Sequence, residues 1–379
     1  MSQKIAVKCS VLLLCLCGSV FAQRERPIAP LEVVDVFGDG DALLLSVSIG
    51  EKEYLCLLDT GATVSMFDLS IPLGDWIRTE TMSTGDGDVT LKVFPSPKLI
   101  LGRTLLRGKG QVYGLDLKAV REISGHNIMG VIGTDILANY VVQIDFDKGK
   151  LSFLRSIPAN AGKKIELHYV LTSVEPWVFL QLPGRPGLAA FLLDTGLQGS
   201  GMMEKGLLEE LAGRGAAKRV GKALAVNFGG ARVAPMWQVS EVSVEQWKLQ
   251  KLLMRQDNLS AFGLGFLSRY VVTFDFPGAH VYLKEGNRIG LPDRRNMTGL
   301  RFGRRLGKTF VHSVVESSLA AKAGIKNNDA VLKVGAKDAD STRLMVLESM
   351  LGGDDPAVPM TISRDGKVMQ ISLPLREPR

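Results

Sequence analysis

The chain has 379 residues, 46% of them hydrophobic and 22% charged, and its 41 Gly and 16 Pro follow no strict period; this is globular composition with room for two or three domains, and it excludes fibrous and disordered classes. The net charge of +7 falls to +5 once Lys4 and Lys8 of the first 22 residues are set aside, too mild and too evenly spread to argue for nucleic acid. Cys9, Cys15 and Cys17 lie in that same stretch, Cys56 is alone, and His126, His168, His280 and His312 stand apart, which leaves neither a disulfide framework nor a Cys/His metal spacing.

Residues 1–22 read as a signal peptide. Lys4 and Lys8 give the positive start, Ser10 to Phe21 is an apolar run too short to span a bilayer, and Val20-Phe21-Ala22 is a small-residue cleavage pattern. The expected product is an exported chain, periplasmic or extracellular, that starts at Gln23 and has no integral membrane span. An uncleaved anchor is the alternative.

Ala42 to Ile49 and Tyr54 to Leu58 are apolar runs around a turn at Gly50-Glu51-Lys52-Glu53, and Asp59-Thr60-Gly61-Ala62-Thr63 follows at once. A polar run, Arg78 to Ser83, leads into Thr84-Gly85-Asp86-Gly87 and a strand over Val89 to Phe94. Gly130-Val131-Ile132-Gly133 precedes Tyr140-Val141-Val142-Gln143-Ile144-Asp145-Phe146, and the strand Lys150 to Phe153 closes the set. A second set follows the same order. Trp177 to Leu182 and Leu188 to Leu193 flank a Gly/Pro turn and deliver Asp194-Thr195-Gly196. Phe228-Gly229-Gly230 is the counterpart of the first Gly-rich tip. Ala261-Phe262-Gly263 precedes Tyr270-Val271-Val272-Thr273-Phe274-Asp275-Phe276, and His280 to Leu283 closes the copy. The Asp-Thr-Gly triplets are 135 residues apart and the Tyr-Val-Val strings 130 apart. Each half is a hairpin pattern that places an acid at the end of a buried strand, so the chain is expected to be two-lobed and pseudo-symmetric.

An acid repeated in this way suggests a pair. Gly lets the chain turn sharply and brings N–H groups to the carboxylate, and the Thr hydroxyls can bond across the two-fold. Two carboxyls held together share one proton. One can then take a proton from water while the other hydrogen-bonds a substrate carbonyl.

On these motifs residues 32–284 resemble the retropepsin-like aspartic proteases. Leu57-Leu58-Asp59-Thr60-Gly61-Ala62-Thr63 with Val131-Ile132-Gly133-Thr134-Asp135 matches that pattern, and Leu192-Leu193-Asp194-Thr195-Gly196 with Ala261-Phe262-Gly263 matches it more loosely. The resemblance implies a catalytic pair Asp59 and Asp194, and dyad support from Thr60, Gly61, Thr63, Thr195 and Gly196. It also implies flaps at Thr84, Gly85, Asp86 and Gly87 and at Phe228, Gly229 and Gly230, an extended or unfolded polypeptide as substrate, and no cofactor or metal. The departure is Leu197-Gln198 in place of Ala62-Thr63, which bears on activity.

Residues 287–297 read as a linker. Beyond them, Ser317 to Gly335 resembles PDZ domains of bacterial exported proteases, with similarity over residues 298–376. The resemblance implies a peptide-binding loop at Gly299, Leu300, Arg301 and Phe302, a groove helix within Arg343 to Leu351, and a C-terminal peptide added as a strand. Two decoys close here. Gly303 to Thr309 has three residues between its glycines where a phosphate loop needs four, and no Gly-x-Ser-x-Gly elbow exists.

The expected architecture is mainly β: a retropepsin-like β-barrel lobe over 32–156, a second over 157–286, and an α+β PDZ domain, in a monomer. The expected function is an exported aspartic endopeptidase; the alternative is a peptide-binding scaffold of weak activity that uses the same cleft and groove.

Overall fold

The computed structural model describes residues 30–376 except 37–41, 85–86, 171–172, 183–184, 228–229, 245–246, 292 and 294–295. The expected signal segment 1–22, Gly85 and Asp86 of the expected first flap, and Phe228 and Gly229 of the second lie outside the described residues. The fold is mainly β and, among the described residues, is built on four sheets. Among the described residues no helix is long and apolar enough to cross a membrane.

Alternation makes the strands. Trp177–Gln181 buries Val178 and Leu180 and exposes Phe179 and Gln181, a period of two that a sheet with one covered face requires. Lys52–Leu58 goes from exposed lysine to the buried Cys56 and Leu58, so its C-terminal end runs under the core and the acid that follows it is backed by apolar packing.

Both halves cross strands in the same way around their acids. In the first, a nine-stranded sheet pairs Lys52–Leu58 with Leu44–Ile49 antiparallel and with Ile128–Ile132 parallel, at Leu58↔Ile132. In the second, a seven-stranded sheet pairs Leu188–Leu193 with Trp177–Gln181 antiparallel and with Ala261–Phe262 parallel, at Leu193↔Phe262. The short strand after each acidic loop, Met66–Asp68 or Gly201–Glu204, returns antiparallel to that same parallel partner.

A six-stranded sheet joins the halves. Val141–Asp145 pairs antiparallel with Tyr270–Asp275, so the duplicated Tyr-Val-Val strings face each other. Their register places Gln143 opposite Thr273, its own counterpart at the 130-residue offset, and the two side chains hydrogen-bond at 2.9 Å. The pseudo-two-fold axis passes through that pair. One apolar core runs through both lobes, including Val142, Ile144, Val272 and Phe274.

The C-terminal module has a sheet of six strands, with the edge strand Leu300–Arg305 facing the helix Leu344–Met350, and an apolar core of its own centred on Phe302, Val311 and Leu347. The helix Lys118–Ser124 of the first lobe packs against that edge strand. Arg305 forms a two-pronged pair with Glu122, both bonds 2.8 Å.

Candidate active site

Asp59 and Asp194 each follow directly on a buried strand and are drawn into the core by backbone bonds: Asp59 N–H donates to the Ile132 carbonyl (3.0 Å) and Asp194 N–H to that of Phe262 (2.9 Å). Gly61 N–H (2.8 Å) and Ala62 N–H (3.1 Å) donate to Asp59 Oδ1, and Gly196 N–H donates to Asp194 Oδ1 at 2.8 Å. The two carboxyls hydrogen-bond one another. Their closeness explains the glycines. A Cβ on Gly61 would stand 2.6 Å from Asp194 Cγ, and one on Gly196 would stand 2.4 Å from Asp59 Cγ.

The threonines cross the axis reciprocally. Thr60 Oγ1 donates to the Leu193 carbonyl (2.6 Å) and accepts from Thr195 N–H (3.0 Å); Thr195 Oγ1 donates to the Leu58 carbonyl (2.8 Å) and accepts from Thr60 N–H (3.0 Å). Both are buried, so water does not compete for these bonds and each loop is indexed to the other.

The downstream glycines serve close approach. Thr134 N–H donates to the Ala62 carbonyl and Leu264 N–H to that of Leu197, both at 2.8 Å. A Cβ on Gly133 would lie 2.7 Å from the Ala62 oxygen, and one on Gly263 would lie 2.5 Å from that of Leu197. Leu197 itself is buried with Leu192, Met202 and Ala261 and borders the cavity that the two acids line. Its N–H reaches the Asp194 carbonyl at 3.4 Å, as Ala62 N–H reaches that of Asp59.

Thr63 is exposed and stands outside this network. Ser65 braces the first loop instead: its hydroxyl donates to Asp135 (2.7 Å) and accepts from Gly133 N–H (2.9 Å). A lone serine two residues beyond the motif carries no distinguishing signal in the sequence, and only the repeat offset, which equates it with Ser200, marks it.

Burial pushes both dyad carboxyls above the usual carboxylate range. Asp194 is pushed further, because the neighbouring Asp59 charge opposes a second ionisation. One proton held between two such oxygens leaves one group able to accept a proton and the other able to donate one.

The pair lines a cavity of about 940 Å³ whose walls include Ile123 from the first lobe, Leu224 and Arg255 from the second, and Arg301 and Glu348 from the C-terminal module. Thr84 and Gly87 close one hairpin and Asn227 pairs with Gly230 in the other. The second hairpin lines the cavity through Ala223 and Leu224; among the described residues the first does not.

Of the predicted module loop, Gly299 adopts φ +73 and a Cβ there would meet Ser318. Leu300 and Phe302 are buried in the module core. Arg301 turns toward the lobes, donating to Gln198 Oε1 and pairing with Glu348 at 3.2 Å. The Phe302 N–H donates to Glu348 Oε1 at 3.2 Å. Glu348 is thus a carboxyl group supplied by the helix Leu344–Met350 to the loop itself.

No family model matches the chain. It is similar to the UDP-N-acetylenolpyruvoylglucosamine reductase of Anaeromyxobacter sp. (strain Fw109-5), with 24% identity over 124 residues, 33% of this chain and 38% of that protein, so the chain spans well under half the length of that curated relative. Among solved structures it is similar to the aspartic proteinase from Irpex lacteus, with 12% identity and a TM-score of 0.43 over 69% of this chain and 98% of the other.

Proposed function

We propose that the chain is an exported aspartic endopeptidase that hydrolyses peptide bonds of an extended polypeptide between Asp59 and Asp194. The observation that carries this reading is the hydrogen-bonded carboxyl pair, set in symmetric loops and opening on a cavity large enough for several residues of substrate. A water held by the pair loses a proton to the ionised carboxylate as its oxygen attacks the substrate carbonyl carbon. The protonated partner donates to the carbonyl oxygen. The tetrahedral diol collapses when a carboxyl delivers a proton to the amide nitrogen, and the C–N bond breaks. No covalent adduct and no cofactor is needed.

Export is supported by the signal pattern of residues 1–22. The module, read as a PDZ domain, contributes a further peptide-contacting surface at the cavity wall, where Arg301 and Glu348 stand. The test is digestion of a peptide library by the full mature chain, with Asp59→Asn and Asp194→Asn beside it, from about pH 3 to pH 7. The expected result is cleavage by the wild type alone. Binding without cleavage at every pH would replace the enzyme with a peptide-binding scaffold, and cleavage at equal rates by the Asn variants would remove the dyad.

A further inference from the structure

The two catalytic loops are braced by the same residue type and by different partners. In the first, Ser65 donates to Asp135, which lies two residues beyond Gly133. The repeat offsets equate Ser65 with Ser200 and Asp135 with Gly265. The second copy therefore has the serine and lacks its acid. Nor could position 265 carry one, since a Cβ there would lie 2.6 Å from the Gly199 carbonyl carbon. Ser200 Oγ donates instead to Asp293, at 2.5 Å, from the segment that leads into the C-terminal module.

Asp293 is held firmly for that task. Its carboxylate also accepts from Arg269 (2.6 Å) and from Leu253 N–H (2.8 Å), and its side chain is only 11% exposed. One step nearer the acid, Gln198 accepts from Arg301 of the module, whose guanidinium is fixed by Glu348. The residue equivalent to Gln198 in the first copy, Thr63, is exposed and has no such tie. The substitution that departs from the first motif is thus the point of attachment for a different brace. On its other side the module grips the first lobe through Arg305 and Glu122, and through Gly125 lying against Leu344.

We propose that Asp293 and Arg301 are positioning residues of the active site, standing in for the acid missing from the second copy, so that the C-terminal segment completes the loop that carries Asp194. This rests on the hydrolytic reading of the dyad. The expected effect is on transition-state geometry. A small displacement of one carboxyl lowers kcat by about tenfold or more with little change in KM.

The experiment compares wild type with Ser200→Ala, Gln198→Ala, Arg301→Ala and the Gln198→Ala/Arg301→Ala double variant, all in the full chain. Ser200→Ala and Gln198→Ala remove few atoms and leave the module core untouched; Ser65→Ala is the matching change in the first loop. Two readouts are used: kcat and KM on a cleaved peptide, and a 13C carboxyl NMR titration of the pair, which reads the dyad whether or not turnover is seen. The expected result is a comparable fall in kcat for Ser65→Ala and Ser200→Ala, a double variant no worse than either single one, and a shifted titration of the pair in each. Wild-type kcat together with an unmoved titration in Ser200→Ala and Gln198→Ala, or losses that simply add in the double variant, would overturn the proposal. An inactive wild type whose titration still moves in the variants would retain the brace and remove the hydrolytic reading.

Discussion

At the scale of single residues, the carboxyl pair works against stability at neutral pH. Asp194 is held above its ordinary range by burial and by Asp59, so folding favours its protonated form. Its contribution to stability is complete below the ordinary carboxylate range and is lost as pH rises through the raised value. Asp194→Asn, neutral at every pH, is therefore expected to melt at a higher temperature than wild type at pH 7, with the difference vanishing toward pH 4; equal melting temperatures across that range would contradict the assignment. The dyad itself was legible, because two Asp-Thr-Gly triplets in matching surroundings specify each other. Ser65, Gln198 and Asp293 were not legible. Each is an ordinary polar residue whose role arises from a partner 70, 103 or 93 positions away.

At the scale of elements, the helix Lys118–Ser124 is the least predictable piece. Its seven residues offer only Val120 and Ile123, both half-buried, as an apolar stripe, too short a pattern to read, and its position comes from Asp68. Burial works against the Asp68 charge, yet the Ser70 hydroxyl, the Arg121 guanidinium and the Leu117 N–H outweigh it and hold the carboxyl down at about 2. Asp68 accepts from Arg121 at 2.5 Å and from Leu117 N–H at 2.9 Å. A carboxylate depressed this far contributes about 2 kcal/mol above the ordinary range, lost as pH falls toward 2. Asp68→Asn is expected to lose about that much in urea unfolding at pH 7 and about half of it at pH 3; a constant loss at both would point to packing instead. The strand Arg78–Thr84, which reads as a polar run, is held by a polar ladder of the same kind: Tyr113 donates to Glu80 at 2.9 Å and Arg78 to Gln111 at 3.0 Å. Periodicity of apolar residues cannot reveal either element, whereas it did mark the hairpins that carry the acids.

At the scale of the whole molecule, cooperativity follows the cores. A single apolar cluster spans both lobes through the shared sheet, and the module has a separate one. Calorimetry of the full chain is expected to show two transitions, the lobes melting together and the module apart. Separate melting of each lobe would mean that the shared sheet does not couple them. The two-lobed plan was readable from the repeated strings, since a strand duplicated at a fixed offset is the signature of an internal axis. How the module docks was not, because its contacts join segments that no local pattern relates.

The Gln143–Thr273 rung marks where one half meets its copy, and the copies are no longer alike even there. In an assembly of two identical subunits every mutation arrives twice, so an acid lost from one brace is lost from both. A tandem gene lets a change enter one copy while its twin keeps the ancestral residue. Asp135 and Gly265 show such a difference between the copies: the first carries its own acid against Ser65, and the second leans on Asp293 from beyond the repeat.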